Sequence, residues 1–173
     1  MGSIFTPTIN IDAYLPDQQE PNVQPPISDP PPSSGTEPMD SSYFLNNWRN
    51  WGEYTNRNPF PSQGQNCTWY AHGRAMQLGY SEYVLDSMWG NAGTWDNSAS
   101  RGAYVTSQPK AGAIAVWEAY VNGAGSVGHV AFVEKVNSDG TITISESNWA
   151  GKAYNVRTIS ALNPSKFIIV PKG

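Results

Sequence analysis

The chain has 173 residues, a net charge of −4 and one cysteine, which is enough length for one domain with a substantial core. A single cysteine excludes an internal disulfide framework and does not read as a zinc cluster; no apolar run approaches membrane-spanning length, and nothing resembles the dense basic patch of a nucleic-acid binder. Seven Trp and nine Tyr are many for this length, and aromatic faces bind sugars and peptides as well as filling cores.

The first 40 residues hold nine of the 14 prolines and six acids (Asp12, Asp17, Glu20, Asp29, Glu37, Asp40) but no Lys or Arg. Runs such as Pro25-Pro26 and Pro30-Pro31-Pro32 favour extended polyproline geometry and bury little apolar area. Residues 1–40 are therefore expected to be a linker or tail. An arm packed on the domain through Ile4, Phe5, Ile9, Ile11, Tyr14 and Leu15 is the alternative. Without this stretch the balance is +2, ten Lys and Arg against eight Asp and Glu, a weak positive charge that suits an anionic polymer such as bacterial wall. The start, Met1-Gly2-Ser3, lacks the basic and apolar regions of a signal peptide.

The remaining 41–173 are expected to form the folded domain. Ser41 through Trp51 reads as a short entering helix. Asn66 is a good N-cap, and Cys67, Ala71, Ala75 and Leu78 fall at helical spacing, so a helix is predicted over 67–78 with Gly79 as its stop. A second short helix is predicted from Ser81 to Trp89. Asn91 to Pro109, rich in Gly, Ser and Asn, reads as loop. Strands follow at 113–117, 129–136, 141–147, 156–159 and 167–170, with Asn137-Ser138-Asp139-Gly140 as a hairpin turn. Helices first and antiparallel strands afterwards make an α+β layout.

Chemistry concentrates at a few positions. Cys67 opens its helix, where the amide dipoles favour a thiolate. His129 opens a strand, and the strand across the hairpin carries Glu146 and Asn148 on one face. Pairing Val136 with Thr141 sets His129 opposite Asn148 and diagonal to Glu146, all on one face, within about 5 to 8 Å. A cysteine nucleophile needs such a base, and the base needs a third group to orient its ring. His72, five residues after Cys67, lies about 140° around the helix and faces away from the thiol, so it is rejected as the base. Read singly, each residue has a plain structural explanation: a buried small hydrophobe, a satisfied His, a solvated Glu. The combination is what points to catalysis.

Gln65-Asn66-Cys67-Thr68-Trp69-Tyr70, Gly112-Ala113-Ile114-Ala115-Val116-Trp117, Gly128-His129-Val130-Ala131 and Ser145-Glu146-Ser147-Asn148-Trp149 together resemble the CHAP domain, the cysteine- and histidine-dependent amidohydrolase/peptidase. The resemblance covers residues 43–171 in the family's order. It implies a papain-like α+β fold with N-terminal helices packed on an antiparallel sheet. The implied activity is cleavage of an amide in bacterial peptidoglycan, as amidase or endopeptidase, by a secreted, wall-associated or phage-delivered monomer without cofactor.

It further implies Cys67 as nucleophile, His129 as base, Glu146 as the group orienting or stabilising the imidazolium and Asn148 as an auxiliary or alternative third member. Many members place Gln directly before the nucleophile. Here Asn66 stands there and Gln65 is one further back, so the backbone N–H of Cys67 is favoured over Gln65 as oxyanion donor. Some members carry an acidic calcium loop before the cysteine; with Glu53 the one acid in 53–65, no calcium or other metal is expected. Trp69 and Trp149 are the favoured substrate-binding walls among Trp69, Trp89, Trp95, Trp117 and Trp149, with core packing the equal alternative for each. Two other classes remain open: a thiol enzyme acting on a non-wall amide, as a toxin or effector would, and a non-catalytic wall-binding module.

Overall fold

The computed structural model of the chain describes residues 34–39 and 66–172. The predicted helix at 41–51, the loop 53–65 and Gln65 lie outside them.

The first long element is α1, Cys67–Gln77. Its end is a Schellman turn: Tyr80 N–H reaches Ala75 O (3.0 Å) and Gly79 N–H reaches Met76 O (3.0 Å), with Gly79 at φ 83°. α2 is Glu82–Leu85, capped by Ser81, whose Oγ accepts from Val84 N–H. It is shorter than predicted because Ser87 and Met88 tighten to i→i−3 bonds onto Val84 and Leu85.

The segment read as loop holds three short elements: a 3-10 turn at Ala92–Thr94, α3 at Trp95–Ser98 and a strand, β2, at Tyr104–Thr106. Helices and strands this short have no legible periodicity. They persist here because Trp95 is fully buried and β2 pairs with the last strand of the chain, Lys166–Ile169.

β1 is Ser34–Gly35, β3 Ile114–Trp117, β4 His129–Val136, β5 Thr141–Glu146, β6 Asn155–Ser160 and β7 Lys166–Ile169. They form one antiparallel sheet in the order β2-β7-β3-β4-β5-β6, with β1 beside the far end of β4. The α+β layout is as expected. Strand alternation gives the sheet two buried faces. Ile114, Val116, Val130, Phe132 and Ile168 meet α1 and its neighbours, while Ala115, Trp117, Ala131, Val133, Ile142, Ile144 and Phe167 form a second cluster on the other side.

The hairpin register departs from expectation in an instructive way. Val136 pairs with Ile142, not with Thr141, and Lys135 with Thr143. A bulge between Val133 and Lys135 then removes the one-residue offset, so Val133 faces Ile144 and Phe132 faces Ser145. The half that carries His129 thus recovers the alignment that the simpler turn would have produced. The residue in the bulge is Glu134, fully buried and held by Arg74 of α1 (Nε to Oε1, 2.9 Å) and Ser145 of β5 (Oγ to Oε1, 2.7 Å).

Residues 34–39, the end of the stretch read as tail, run along the edge of β4 that β3 leaves and β5 does not occupy. Thr36 N–H donates to Glu134 O (2.8 Å), Arg74 Nη2 to Glu37 O (3.0 Å) and Tyr154 Oη to Met39 O (2.6 Å).

Candidate active site

α1 and the sheet converge at one end, where the first residue of α1, the first of β4 and the last of β5 meet. Cys67, His129 and Glu146 are 6%, 3% and 0% exposed. His129 Nε2 stands 3.7 Å from Glu146 Oε2, an ion-pair distance too long for a hydrogen bond, and this nitrogen is buried without a hydrogen-bond partner. The ring also interacts with the Cys67 side chain. With Nε2 turned to Glu146, Nδ1 is the nitrogen left for the sulfur.

Burial is the largest single influence on His129 and pushes the imidazole toward its neutral form. Contacts to Cys67 and then Glu146, with the negative charge each contributes, outweigh it. The pKa therefore ends above the ordinary 6.5. Such a ring holds its proton beside a sulfur and a carboxylate, which is what an acid for a leaving amine requires.

Delivery of His129 depends on the residue before it. Gly128 has φ 72°, and a Cβ there would lie 2.4 Å from Trp117 O and 2.5 Å from Gly93 Cα. Only glycine allows the chain to pass so close at that φ. Gly128→Ala is expected to destabilise by roughly 2 kcal/mol or more. A thermal melt within a degree or two of the parent would show that the loop adapts instead.

The His129 ring is enclosed by indoles, with Trp117 at 5.3 Å and Trp149 at 4.7 Å between ring centroids. Glu146 in turn is held from β6. Arg157 Nε donates to Oε1 (2.9 Å) and Oε2 (3.2 Å), and Asn155 Nδ2 to Oε1 (3.4 Å). Sequence reasoning missed Arg157, Asn155 and the part Trp117 plays beside the ring. The strand at 156–159 was legible, but pairing it with β5 was the step needed. That register puts Arg157 opposite Ile144, hence diagonal to Glu146.

The other candidates fall differently. Asn148 is not opposite His129 in the sheet. β5 ends at Glu146 and the chain turns out of it, with Asn148 at φ 57° and its N–H on Lys152 O (2.8 Å), leaving the side chain exposed on the rim. Glu146, not Asn148, is the group against the ring. Trp69, expected as a groove wall, is 4% exposed and belongs to the core. Two positions along a helix is roughly 200° around it, so Trp69 points away from the side that Cys67 presents. Trp95 and Trp117 are fully buried and Trp89 is exposed. The Cys67 N–H, expected as an oxyanion donor, donates at 2.7 Å to Asn66 Oδ1. His72 points to Asp86 (Nε2 to Oδ1, 3.3 Å).

A cleft of about 360 Å³ opens over the group, lined by Asn66, Cys67, Val127, His129, Asn148 and Trp149 among others. A larger cavity of about 580 Å³ lies between Leu78, Tyr80, Tyr104 and Phe132. It contains neither the thiol nor the imidazole, so its size is no guide to the chemistry. Among the described residues no group of three or more His, Cys, Asp or Glu side chains is arranged to hold a metal ion, and no helix is long and apolar enough to cross a membrane.

The arrangement has counterparts. The family model for the CHAP domain matches residues 47–148. A probable autolysin, LDP, of Staphylococcus aureus (strain NCTC 8325 / PS 47) is 45% identical over 104 residues, 59% of this chain and 34% of the relative. The N-acetylmuramoyl-L-alanine amidase sle1 of Staphylococcus epidermidis (strain ATCC 35984) is 43% identical over 98 residues, 55% of this chain and 28% of the relative. Among solved structures, an N-acetylmuramoyl-L-alanine amidase from Staphylococcus aureus superposes with a TM-score of 0.56 at 44% identity, covering 62% of this chain and 31% of that one. The chain spans about a third of the length of these relatives.

Proposed function

We propose that this chain, which belongs to the CHAP domain family, is a peptidoglycan hydrolase that cuts an amide bond through a thioester on Cys67. The observation that carries this is the meeting of Cys67 and His129 in an open cleft, with the buried Glu146 against the far side of the ring. The amidase names of the relatives favour the bond between the glycan and its stem peptide. The wall, reached from outside the cell, is then the site of action.

The steps follow from the geometry. Cys67 Sγ, as thiolate, attacks the scissile carbonyl carbon, forming C–S as the carbonyl π electrons move to oxygen. The Cys67 N–H is the oxyanion donor in this reading, and to serve it must first be freed from Asn66 Oδ1 by the substrate. Collapse of the intermediate breaks C–N, and His129 gives its proton to the departing amine. His129, now neutral, takes a proton from water. The resulting C–O bond forms as C–S breaks, and the acid leaves with the thiolate restored. Glu146 supplies the negative charge that keeps the imidazolium stable between these steps, and Arg157 and Asn155 hold the carboxylate in place.

Because the folded pKa of His129 is raised, the imidazolium persists above the pH at which an ordinary histidine loses its proton. The basic limb of kcat/KM is expected above pH 6.5. The sign for stability is the same. The ion-pair contribution is fully present below the unfolded value of 6.5 and is lost as pH rises through the higher folded one. A basic limb at or below 6.5 would show that His129 is not the acid.

Incubating purified wall with the chain and identifying the new amino groups tests the activity. New N-terminal alanine marks an amidase, other amines an endopeptidase, and no release ends the wall reading. Rapid iodoacetamide alkylation of Cys67 near neutral pH without wall cleavage would point to another amide substrate.

A further inference from the structure

We propose that Arg157 is a positioning residue of this site, fixing from one strand both the carboxylate and the indole wall that hold the His129 ring. This rests on the catalytic reading of Cys67 and His129 given above.

Arg157 sits on β6 beside β5, where its Nε donates to both oxygens of the fully buried Glu146, at 2.9 and 3.2 Å. The same guanidinium lies 4.1 Å from the centroid of the Trp149 ring and 5.7 Å from that of Trp117. Those two indoles lie against the imidazole at 4.7 and 5.3 Å, tilted to it by 48° and 53°, so guanidinium, indoles and imidazole form one contiguous cluster that also holds Glu146. One Arg157 nitrogen, Nη2, is buried without a hydrogen-bond partner.

The consequence for His129 is a shared carboxylate. Glu146 gives both oxygens to Arg157 and only a 3.7 Å contact to the ring, so the guanidinium tempers its pull on the imidazolium proton. The charged groups that reach the ring are Cys67 from α1, Glu146 from β5 and, through Glu146 and Trp149, Arg157 from β6; β3 contributes the neutral Trp117. Removing a cation from this set makes the His129–Glu146 pair bind its proton more tightly, whichever of the two carries it.

Two variants separate charge from geometry. Arg157→Gln is expected to move the basic limb of kcat/KM to higher pH and to lower kcat roughly 10- to 100-fold, the range for a group misplaced by about 1 Å. Arg157→Lys is expected to leave the limb at the parent position, because the charge remains. Its kcat still falls, because an ammonium cannot span the carboxylate and stack on the indole together. A parent-like limb and parent-like kcat in both variants, with only a lower melting temperature, would reduce Arg157 to a structural ion pair and overturn the proposal.

The pH profile of iodoacetamide alkylation at Cys67 reads the same thiol–imidazole pair without any substrate. Its upper inflection should rise in Arg157→Gln, and an unmoved inflection overturns the proposal. Failure of wall hydrolysis by the parent chain would count against the substrate assignment instead. If Arg157→Gln does not fold, Arg157→Lys decides alone, since parent-like kcat there overturns the positioning role.

Discussion

Replacing Cys67 by alanine is expected to abolish amide hydrolysis, a loss of roughly 10⁴-fold or more, as for other enzymes deprived of their nucleophile. The structure offers no substitute. Cys67 is the one cysteine in the chain, and on the proposed mechanism its sulfur is the attacking atom in the cleft it shares with His129. The fold should hardly notice. The side chain is small, and deleting one buried sulfur costs about 1 kcal/mol. Circular dichroism should show a melting temperature within a few degrees of the parent, and wall-digestion assays should show no new amino groups. A Cys67→Ala protein that still released them would exclude the thioester route whatever the family resemblance.

Replacing Glu134 by alanine should produce the largest loss of stability, about 3 to 5 kcal/mol, or roughly 10 °C in melting temperature. Glu134 is fully buried and receives two bonds from Arg74 (Nε to Oε1, 2.9 Å, and Nη2 to Oε2, 3.1 Å), one from Ser145 (2.7 Å) and one from Thr36 Oγ1. Its removal leaves the Arg74 guanidinium charged in the interior, with only Gln77 and the Glu37 carbonyl among the partners seen here. A buried pair is costly to break and much cheaper to replace whole. The double variant Arg74→Met/Glu134→Leu should therefore recover most of the loss. Thermal melts of the single and double variants decide this, and equal losses in both would mean that packing, not the charge, is at stake. Glu134 also sits in the bulge that aligns the His129 end of the hairpin, so this pair links stability to the register on which His129 and Glu146 depend.

Local chemistry made a good part of this legible. Asn66 and Gly79 bracket α1 because a cap and a left-handed stop are properties of single residues. Asn137 to Gly140 marked the hairpin for the same reason, and a lone thiol at a helix start narrowed the candidate nucleophile to one position. What could not be read depended on contacts far apart in sequence. The bulge at Glu134 leaves no trace in the run Val130 to Val136, because its cause is Arg74, 60 residues away. Trp69 looked like a groove wall from its neighbour in sequence, yet the core claimed it. Asn148 looked like a strand residue, yet the chain left the sheet just before it.

By itself, then, the order of residues determined the longer elements and the candidate reactive groups, since propensity, capping and side-chain chemistry act over a few residues. Only the tertiary structure decided which neighbours those groups acquired. The Arg157 hold on Glu146 and the indoles around His129 arise from sheet register and from which faces are buried, and both are settled by the whole chain at once.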